Sequence, residues 1–360
     1  MGEPSNWTAA HLAELRALPE LPVYGIADRG FGIDGLDLWD QWPVQELDGS
    51  VARICGGALW MALSAPADGE PIERHVQARI RLLFDGSDGW HDLGNALPDG
   101  LSPGSREWSG SAVREGERVR LFFTAAGRRG EARTTYEQRL FQTNACLDGR
   151  RLVEWSTPAE IVASDGIIYH LARQQDGVPG TIKAFRDPAY FRDPATSQDY
   201  LLFAASVGDG AFNGAVGLAR ARTLDDWELL PPIIRAEGVS NELERPHMLA
   251  RDGRYYVFWS TQRSVFAPGI EAPTGLYGMV AERLRGPYAP LNSSGLVAAN
   301  PAAAPDQAFS WLVLDDLSVV AFVDRLRGAT GRYFGGHAAP PWQLALDGDR
   351  AWPVSGRASP

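Results

Sequence analysis

Asp40, Asp187 and Glu244 lie far apart in a chain of 360 residues, yet each sits in the same kind of setting. Each belongs to a polar or aromatic cluster that precedes an apolar, strand-like run. Asp40 lies in Leu38-Trp39-Asp40-Gln41-Trp42, Asp187 in Phe185-Arg186-Asp187-Pro188 and Glu244 in Glu242-Leu243-Glu244-Arg245-Pro246-His247. Carboxylates brought together with aromatic rings and arginines suit sugar chemistry. Cleaving a glycosidic bond needs two carboxyl groups, one to attack or activate water and one to protonate the leaving oxygen. Nearby negative charge raises the pKa of the acid, so that it keeps a proton near neutrality. Trp39, Trp42 and Trp108 offer flat apolar faces for the C–H side of a sugar ring, and an N–H for its hydroxyls.

Each feature also has a plainer reading. Asp-Pro commonly opens turns. The chain holds its own control, because Arg192-Asp193-Pro194 repeats the tripeptide six residues on and runs into the turn cluster Ala195-Thr196-Ser197-Gln198-Asp199. That copy reads as structural. His247 reads as an oriented polar group rather than a catalyst. No histidine has the spacing of a HExxH metal site.

What must position these acids is a repeat. Five stretches share one outline, the other two being Glu107-Trp108-Ser109-Gly110-Ser111 and Gln307-Ala308-Phe309-Ser310. The intervals from Asp40 through Trp108, Asp187, Glu244 and Ser310 are 68, 79, 57 and 66 residues. A four-stranded blade with loops needs roughly 40–50 residues. The expected fold is all-β: a five-bladed β-propeller with a central funnel-shaped pocket, formed by residues 1–360 as a single domain. Repeat symmetry then places Asp40, Asp187 and Glu244 at equivalent positions around one mouth of the channel. Glu115-Gly116, Asp148-Gly149 and Asp252-Gly253 read as hairpin turns. Residues 1–30 read as an arm carrying one helix from Thr8 to Leu18, stopped by Pro19. The tail after Pro340 reads as short and irregular, closing the last blade or lying across it.

The 34 basic and 45 acidic residues leave a net charge of -11. Such a chain repels nucleic acid and anionic lipid. No apolar run reaches the ~18 residues that span a bilayer. Two cysteines without CxxC spacing, Cys55 and Cys146, exclude a zinc or disulfide framework and leave one bond between them open. The N-terminus lacks a charged-then-apolar signal pattern. The reading is a mature soluble chain, or one exported without a cleavable signal.

These motifs resemble one family. Leu36-Asp37-Leu38-Trp39-Asp40-Gln41-Trp42-Pro43 is similar to the DVWDSWPL segment of bacterial levansucrases, glycoside hydrolase family 68. Glu107-Trp108-Ser109-Gly110-Ser111-Ala112 resembles that family's EWSGSA, Arg186-Asp187-Pro188 its RDP and Glu242 to His247 its E-x-ERPH. Gly286 to Asn292 and Arg332 to Gly336 also fall in family order, so the resemblance covers about Asp37 to Leu346.

The resemblance implies a five-bladed propeller acting on sucrose. Asp40 would be the nucleophile, Glu244 the general acid and then base, and Asp187 the holder of fructosyl hydroxyls. Trp39, Trp108, Ser109, Arg186, Glu242, Arg245 and Gln262 would line the sugar sites. The partners implied are sucrose and fructosyl acceptors, including water and other sugars, with no cofactor. The activity implied is a retaining fructosyltransferase of levansucrase type; a mainly hydrolytic β-fructofuranosidase and a non-catalytic sugar-binding propeller are the alternatives. The family also implies an extracellular location, with a cytoplasmic one left open. Three departures stand out. Gln262 replaces the usual His or Arg, with Arg263 beside it expected to point elsewhere. Ala204 replaces a Glu that supports the site arginine. Asn241 replaces an acid that some relatives use for calcium, so no metal is expected.

Overall fold

The computed structural model describes residues 3–16, 18–67, 73–172, 182–328 and 331–354. Its strands form five blades. Blade 1 holds Leu36–Gln45, Ala58–Pro66, Arg79–Gly86 and Gly89–Asn95. Blade 2 holds Arg106–Glu115, Arg118–Ala126 and Gln138–Asp148, with the short Arg151–Val153 and Ala159–Glu160 on its outer side. Blade 3 holds Phe185–Arg192, Asp199–Ser206, Gly214–Thr223 and Asp226–Arg235. Blade 4 holds Glu244–Arg251, Arg254–Thr261 and Gly275–Ala281, edged by Ala289–Pro290 and Leu296–Ala299. Blade 5 runs from Ala308–Val313 through Ser318–Gly328 and Gly331–Ala338 to the hairpin of Trp342–Asp347 and Arg350–Pro353. The described part of the tail, residues 342–353, is therefore regular and completes the last blade. The first strand of each blade touches the first strand of its neighbours in a closed circuit. Blades 1 and 2 even pair in parallel, Val44 with Ala112 and Gln45 with Val113.

The N-terminal arm is a strap across three blades. Ser5–Asn6 adds a parallel strand to the outer edge of blade 3. Trp7 then enters the core of blade 4, 1% exposed, against Trp259, Tyr277 and Phe266, and donates from Nε1 to Ser294 O at 2.9 Å. Removing a buried ring of this size costs roughly 3–5 kcal/mol. Glu20 pairs with Ala299, and Gly30 and Phe31 exchange hydrogen bonds with Ala338 of blade 5. The helix is shorter than expected, Ala9–Leu12, capped at Thr8. Leu12 is its one buried residue and Leu18 is 43% exposed, so no apolar face sustains further turns.

The acid-bearing clusters are themselves the inner strands, and the apolar runs are the second strands beside them. A bulge interrupts four of the five inner pairings in the same way. Two residues are skipped between Trp39 and Trp42, Arg186 and Ala189, Glu244 and His247, and Phe309 and Leu312. The first skipped residue has positive φ each time: Asp40 53°, Asp187 61°, Arg245 48° and Ser310 63°. Left-handed backbone at a non-glycine residue costs about 1–3 kcal/mol, which the surrounding sheet must overcome. Pro188 and Pro246 follow two of these residues, where no ladder hydrogen bond is formed. Blade 2 uses a shorter bulge at Ser109. Gly110 follows it because a Cβ there would stand 1.8 Å from Phe122 O.

This register corrects the symmetry argument. Asp40 and Asp187 are equivalent, but their counterpart in blade 4 is Arg245. Glu244 aligns instead with Trp39, Arg186 and Phe309. The bulge breaks strand alternation, so consecutive side chains on either side of it reach one cavity. All three hairpins form; Asp252 and Gly253 both have positive φ, 51° and 72°, as a two-residue type I′ turn requires, whereas Glu115 and Asp148 end their strands and the turns fall one residue later, on 116–117 and 149–150. Cys55 is exposed, Cys146 is half-buried, and both are free, so the bond left open does not form.

Candidate active site

The inner strands surround a cavity of about 190 Å³ lined by Trp39, Asp40, Trp108, Ser109, Arg186, Asp187, Glu242, Glu244 and Gln262. Nine of the ten candidate residues therefore meet there. The tenth, Arg245, does not line the cavity. Its side chain runs between the inner strands, donating to Ser310 Oγ at 2.9 Å and to Gln41 O at 3.0 Å, with the guanidinium 5.8 Å from the Trp42 ring centre. Its backbone N–H donates to Asp187 Oδ2 at 3.4 Å.

Ser109 Oγ donates a short hydrogen bond to Asp40 Oδ2, joining blades 1 and 2 at the cavity. Asp187 is held from behind, since its backbone N–H donates to Thr124 Oγ1 at 2.9 Å. Burial pushes the Asp187 carboxyl up to about 6; Arg186 opposes the rise and Asp40 adds to it. Arg186 is the hub. Its guanidinium lies 3.5 Å from Asp187 Oδ2, 3.1 Å from Glu242 Oε2 and 3.3 Å from Glu244 Oε1. Burial alone would disfavour its charge, but the three carboxylates outweigh that and hold it firmly protonated. Glu244 is raised well above the usual carboxylate range, first by burial, then by a hydrogen bond with Glu242 and by that neighbour's charge. Glu242 and Glu244 thus lie side by side against one fixed cation.

The departures resolve as follows. Arg263 points away from the cavity and pairs with Asp306 at 3.0 Å, leaving Gln262 at the wall. Ala204 pairs across from Arg186, and Gln138 of blade 2 supplies an acceptor to that arginine at 3.4 Å. His247 accepts from Val313 N–H at Nε2 and contacts Arg245 O at Nδ1, both as a neutral ring; burial holds its pKa down at about 4. It fastens blade 4 to blade 5. Glu107 also turns away from the cavity, bonded to Arg79 Nε at 2.9 Å and Ile80 N–H at 2.8 Å. Among the described residues no group of three or more His, Cys, Asp or Glu side chains is arranged to hold a metal ion, and no helix is long and apolar enough to cross a membrane.

Sequence reasoning missed Arg74, His75, Tyr136 and Asp324, which also line the cavity. Arg74 lies 3.7 Å from Asp324 and stacks over Phe334 and Trp39. Burial pushes Asp324 up to about 6. Asp324 carried a readable signal, an acid interrupting the apolar run Val319-Val320-Ala321-Phe322-Val323. Arg74 and His75 carried none, since their loop matches no motif.

The family profile described as Levansucrase/Invertase matches residues 26–216 and 209–356. The levansucrase LscA of Pseudomonas savastanoi pv. glycinea is 30% identical over 97% of this chain and 94% of its own length. A levansucrase of Rahnella aquatilis is 29% identical over 97% and 94%. Among solved structures, an inulosucrase from Halalkalicoccus jeotgali bound to kestose superimposes with a TM-score of 0.87 at 36% identity, covering 99% of this chain and 98% of that one. The levansucrase of Gluconacetobacter diazotrophicus shares the fold, with a TM-score of 0.85 at 23% identity.

Proposed function

The chain belongs to the levansucrase/invertase family, glycoside hydrolase family 68, and from that premise we propose how its residues carry out fructosyl transfer from sucrose. The observation that carries the proposal is one cavity in which Asp40, Asp187 and Glu244 meet, with Glu244 raised by burial and by its hydrogen bond to Glu242. Asp40, oriented by Ser109, attacks the anomeric carbon of the fructosyl unit. Glu244 gives its proton to the departing glucosyl oxygen. Water or a sugar hydroxyl then enters, Glu244 takes the proton back, and the fructosyl–Asp40 ester opens. Two inversions retain configuration. Asp187 accepts from fructosyl hydroxyls and faces the positive charge that develops on the ring. Trp39 and Trp108 supply the ring platforms. Trp39 Nε1 and two Arg74 nitrogens, all buried and without a partner among the described residues, offer donors to a polyol.

Incubation with sucrose and chromatography of the products test the activity. Glucose release in excess of free fructose, with oligosaccharides appearing, supports transfer. Equal glucose and fructose would reduce the activity to hydrolysis. Asp40→Asn should abolish glucose release by roughly 10⁴-fold or more, and undiminished release would refute the nucleophile. A second reading concerns the bond made. The likeness to an inulosucrase at 36% identity favours β-2,1 links over the β-2,6 links of levan, and linkage analysis of the oligosaccharides separates them.

A further inference from the structure

Behind Glu242, away from Asp40, lies a polar cluster that the mechanism above does not use. Lys183 precedes the inner strand of blade 3 and is half-buried. Its ammonium donates to Gly210 O at 2.9 Å, Asn213 Oδ1 at 2.5 Å and Asn241 Oδ1 at 3.1 Å. It thus ties together the 207–214 loop of blade 3 and the segment entering blade 4. An ammonium has donors only, so it compels the Asn241 carbonyl oxygen to face it. The other half of that amide is fixed independently: Nδ2 donates to Ile182 O at 3.1 Å and to Glu242 Oε1 at 3.3 Å. Both ends agree, and the amide has one orientation.

That orientation matters for the glutamate pair. Glu242 receives the Asn241 N–H at Oε1 and the Arg186 N–H at Oε2. Donors at both oxygens fix the orientation of its carboxylate beside Glu244. Glu244, raised by burial and by this neighbour, is the member of the pair that holds its proton. The other charges facing the pair are Asp187, which favours protonation, and Arg186 and Arg245, which oppose it.

We propose that Lys183 is a positioning residue: by locking the Asn241 amide against Glu242 it fixes the carboxylate beside Glu244, and so holds Glu244 aimed at the leaving oxygen. The inference rests on reading Glu244 as the general acid. No net chemistry is added; the proton that Glu244 gives to the leaving oxygen is the one the proposed mechanism already uses.

The test uses Lys183→Met, Asn241→Ala and the double variant, with sucrose and with p-nitrophenyl β-D-fructofuranoside, whose leaving group needs little protonation. Each single variant should lose roughly tenfold in kcat on sucrose while the aryl fructoside rate stays within about twofold. KM should hardly move. The alkaline limb of the sucrose profile should shift to higher pH, because the pair loses a donor or a positive neighbour. The double variant should be no worse than the poorer single. Equal loss on both substrates, losses that multiply, or a lower Tm with unchanged kinetics and pH profile would overturn the inference. If Lys183→Met does not fold, Asn241→Ala with Lys183→Arg, which keeps the cation, carries the test: the first should lose and the second retain sucrose turnover, and the reverse overturns the inference. Glu244→Gln separates the two levels. If it spares sucrose as much as the aryl fructoside, the general-acid reading fails; if it is selective and the Lys183 and Asn241 variants are not, only the present inference fails.

Discussion

Blade 3 carries the same tripeptide twice, once within its first strand and once across that strand's end, and the two copies have opposite fates. Arg186-Asp187-Pro188 sits at the bulge, where Asp187 takes φ 61° and faces the cavity. Six residues on, past three ladder pairs, Arg192-Asp193-Pro194 ends the strand at the rim. There Asp193 caps a turn: it accepts from Ala195 N–H at 3.0 Å, Thr196 Oγ1 at 2.7 Å and the Tyr255 hydroxyl of blade 4 at 2.7 Å. Arg192 grips Asp199 rather than its own neighbour. Burial raises Asp187, whereas at Asp193 burial is outweighed by three hydrogen bonds that lower it. Identical residues become a cavity-lining carboxylate or a rivet according to where the strand bends and how many donors meet the carboxylate.

The largest separation should come from removing each carboxylate. Asp187→Asn should cost roughly 10³-fold in kcat/KM on sucrose, the loss expected when a group facing transition-state charge is neutralised. Asp193→Asn should leave kcat/KM within about twofold. Comparable losses in both would erase the distinction.

Stability should run the other way, with opposite signs. Asp187 has a folded pKa of about 6, above its ordinary value of 3.8. A raised pKa contributes stability that is present below about 4 and lost as pH climbs through 6. At pH 7 its charge is therefore a burden, and Asp187→Asn should unfold about 1–3 kcal/mol later than wild type. That gain should vanish by pH 4. Asp193 is lowered, so its contribution is present above the ordinary carboxylate range and fades as pH falls through the folded value. Asp193→Asn should lose about 1–2 kcal/mol at pH 7, and the penalty should shrink in acid. Denaturant midpoints at pH 7 and pH 4 read both.

The arginines sharpen the contrast at a smaller scale. Arg186 serves three carboxylates through a planar fork that lysine cannot reproduce. Arg186→Lys should lose roughly 10²-fold in kcat. Arg192→Lys breaks a two-point contact with Asp199 at the rim and should cost about 1 kcal/mol with kinetics unchanged.

How much of this was legible follows from the same strand. Composition and turn residues revealed the repeat, the acids and even the structural fate of Asp193, because each rests on local chemistry. The offset within the repeat was not legible. Glu244 looks like the counterpart of Asp187 when motifs are aligned by their acids, yet the pairing of Glu244 with Ser260 aligns it with Arg186. Ladder register depends on where the bulge falls, and nothing in the one-dimensional pattern marks a positive φ at Asp40 or Arg245. Arg245, which the family resemblance placed at the sugar, lies between the inner strands instead. Arg74 was hidden for a different reason: it reaches the cavity from the single 3-10 turn Glu73–Val76 between two strands of blade 1, so neither period nor motif points to it.

The two supporting threonines give the finest test. Thr124 accepts the Asp187 backbone N–H and donates to Ser109 O at 3.1 Å, so one hydroxyl braces two residues of the cavity. Thr196 is exposed and donates to the Asp193 carboxylate. Thr124→Val leaves a buried N–H and a buried carbonyl unpaired, which costs about 1–3 kcal/mol and loosens the aim of Asp187. A drop in kcat of roughly tenfold should accompany it, with Thr124→Ser restoring both rate and stability. Thr196→Val should cost at most about 1 kcal/mol, because water replaces the lost donor at the rim. If Thr124→Val destabilised the protein without slowing it, the bulge would be held by its sheet alone, and the brace would not set the geometry of Asp187.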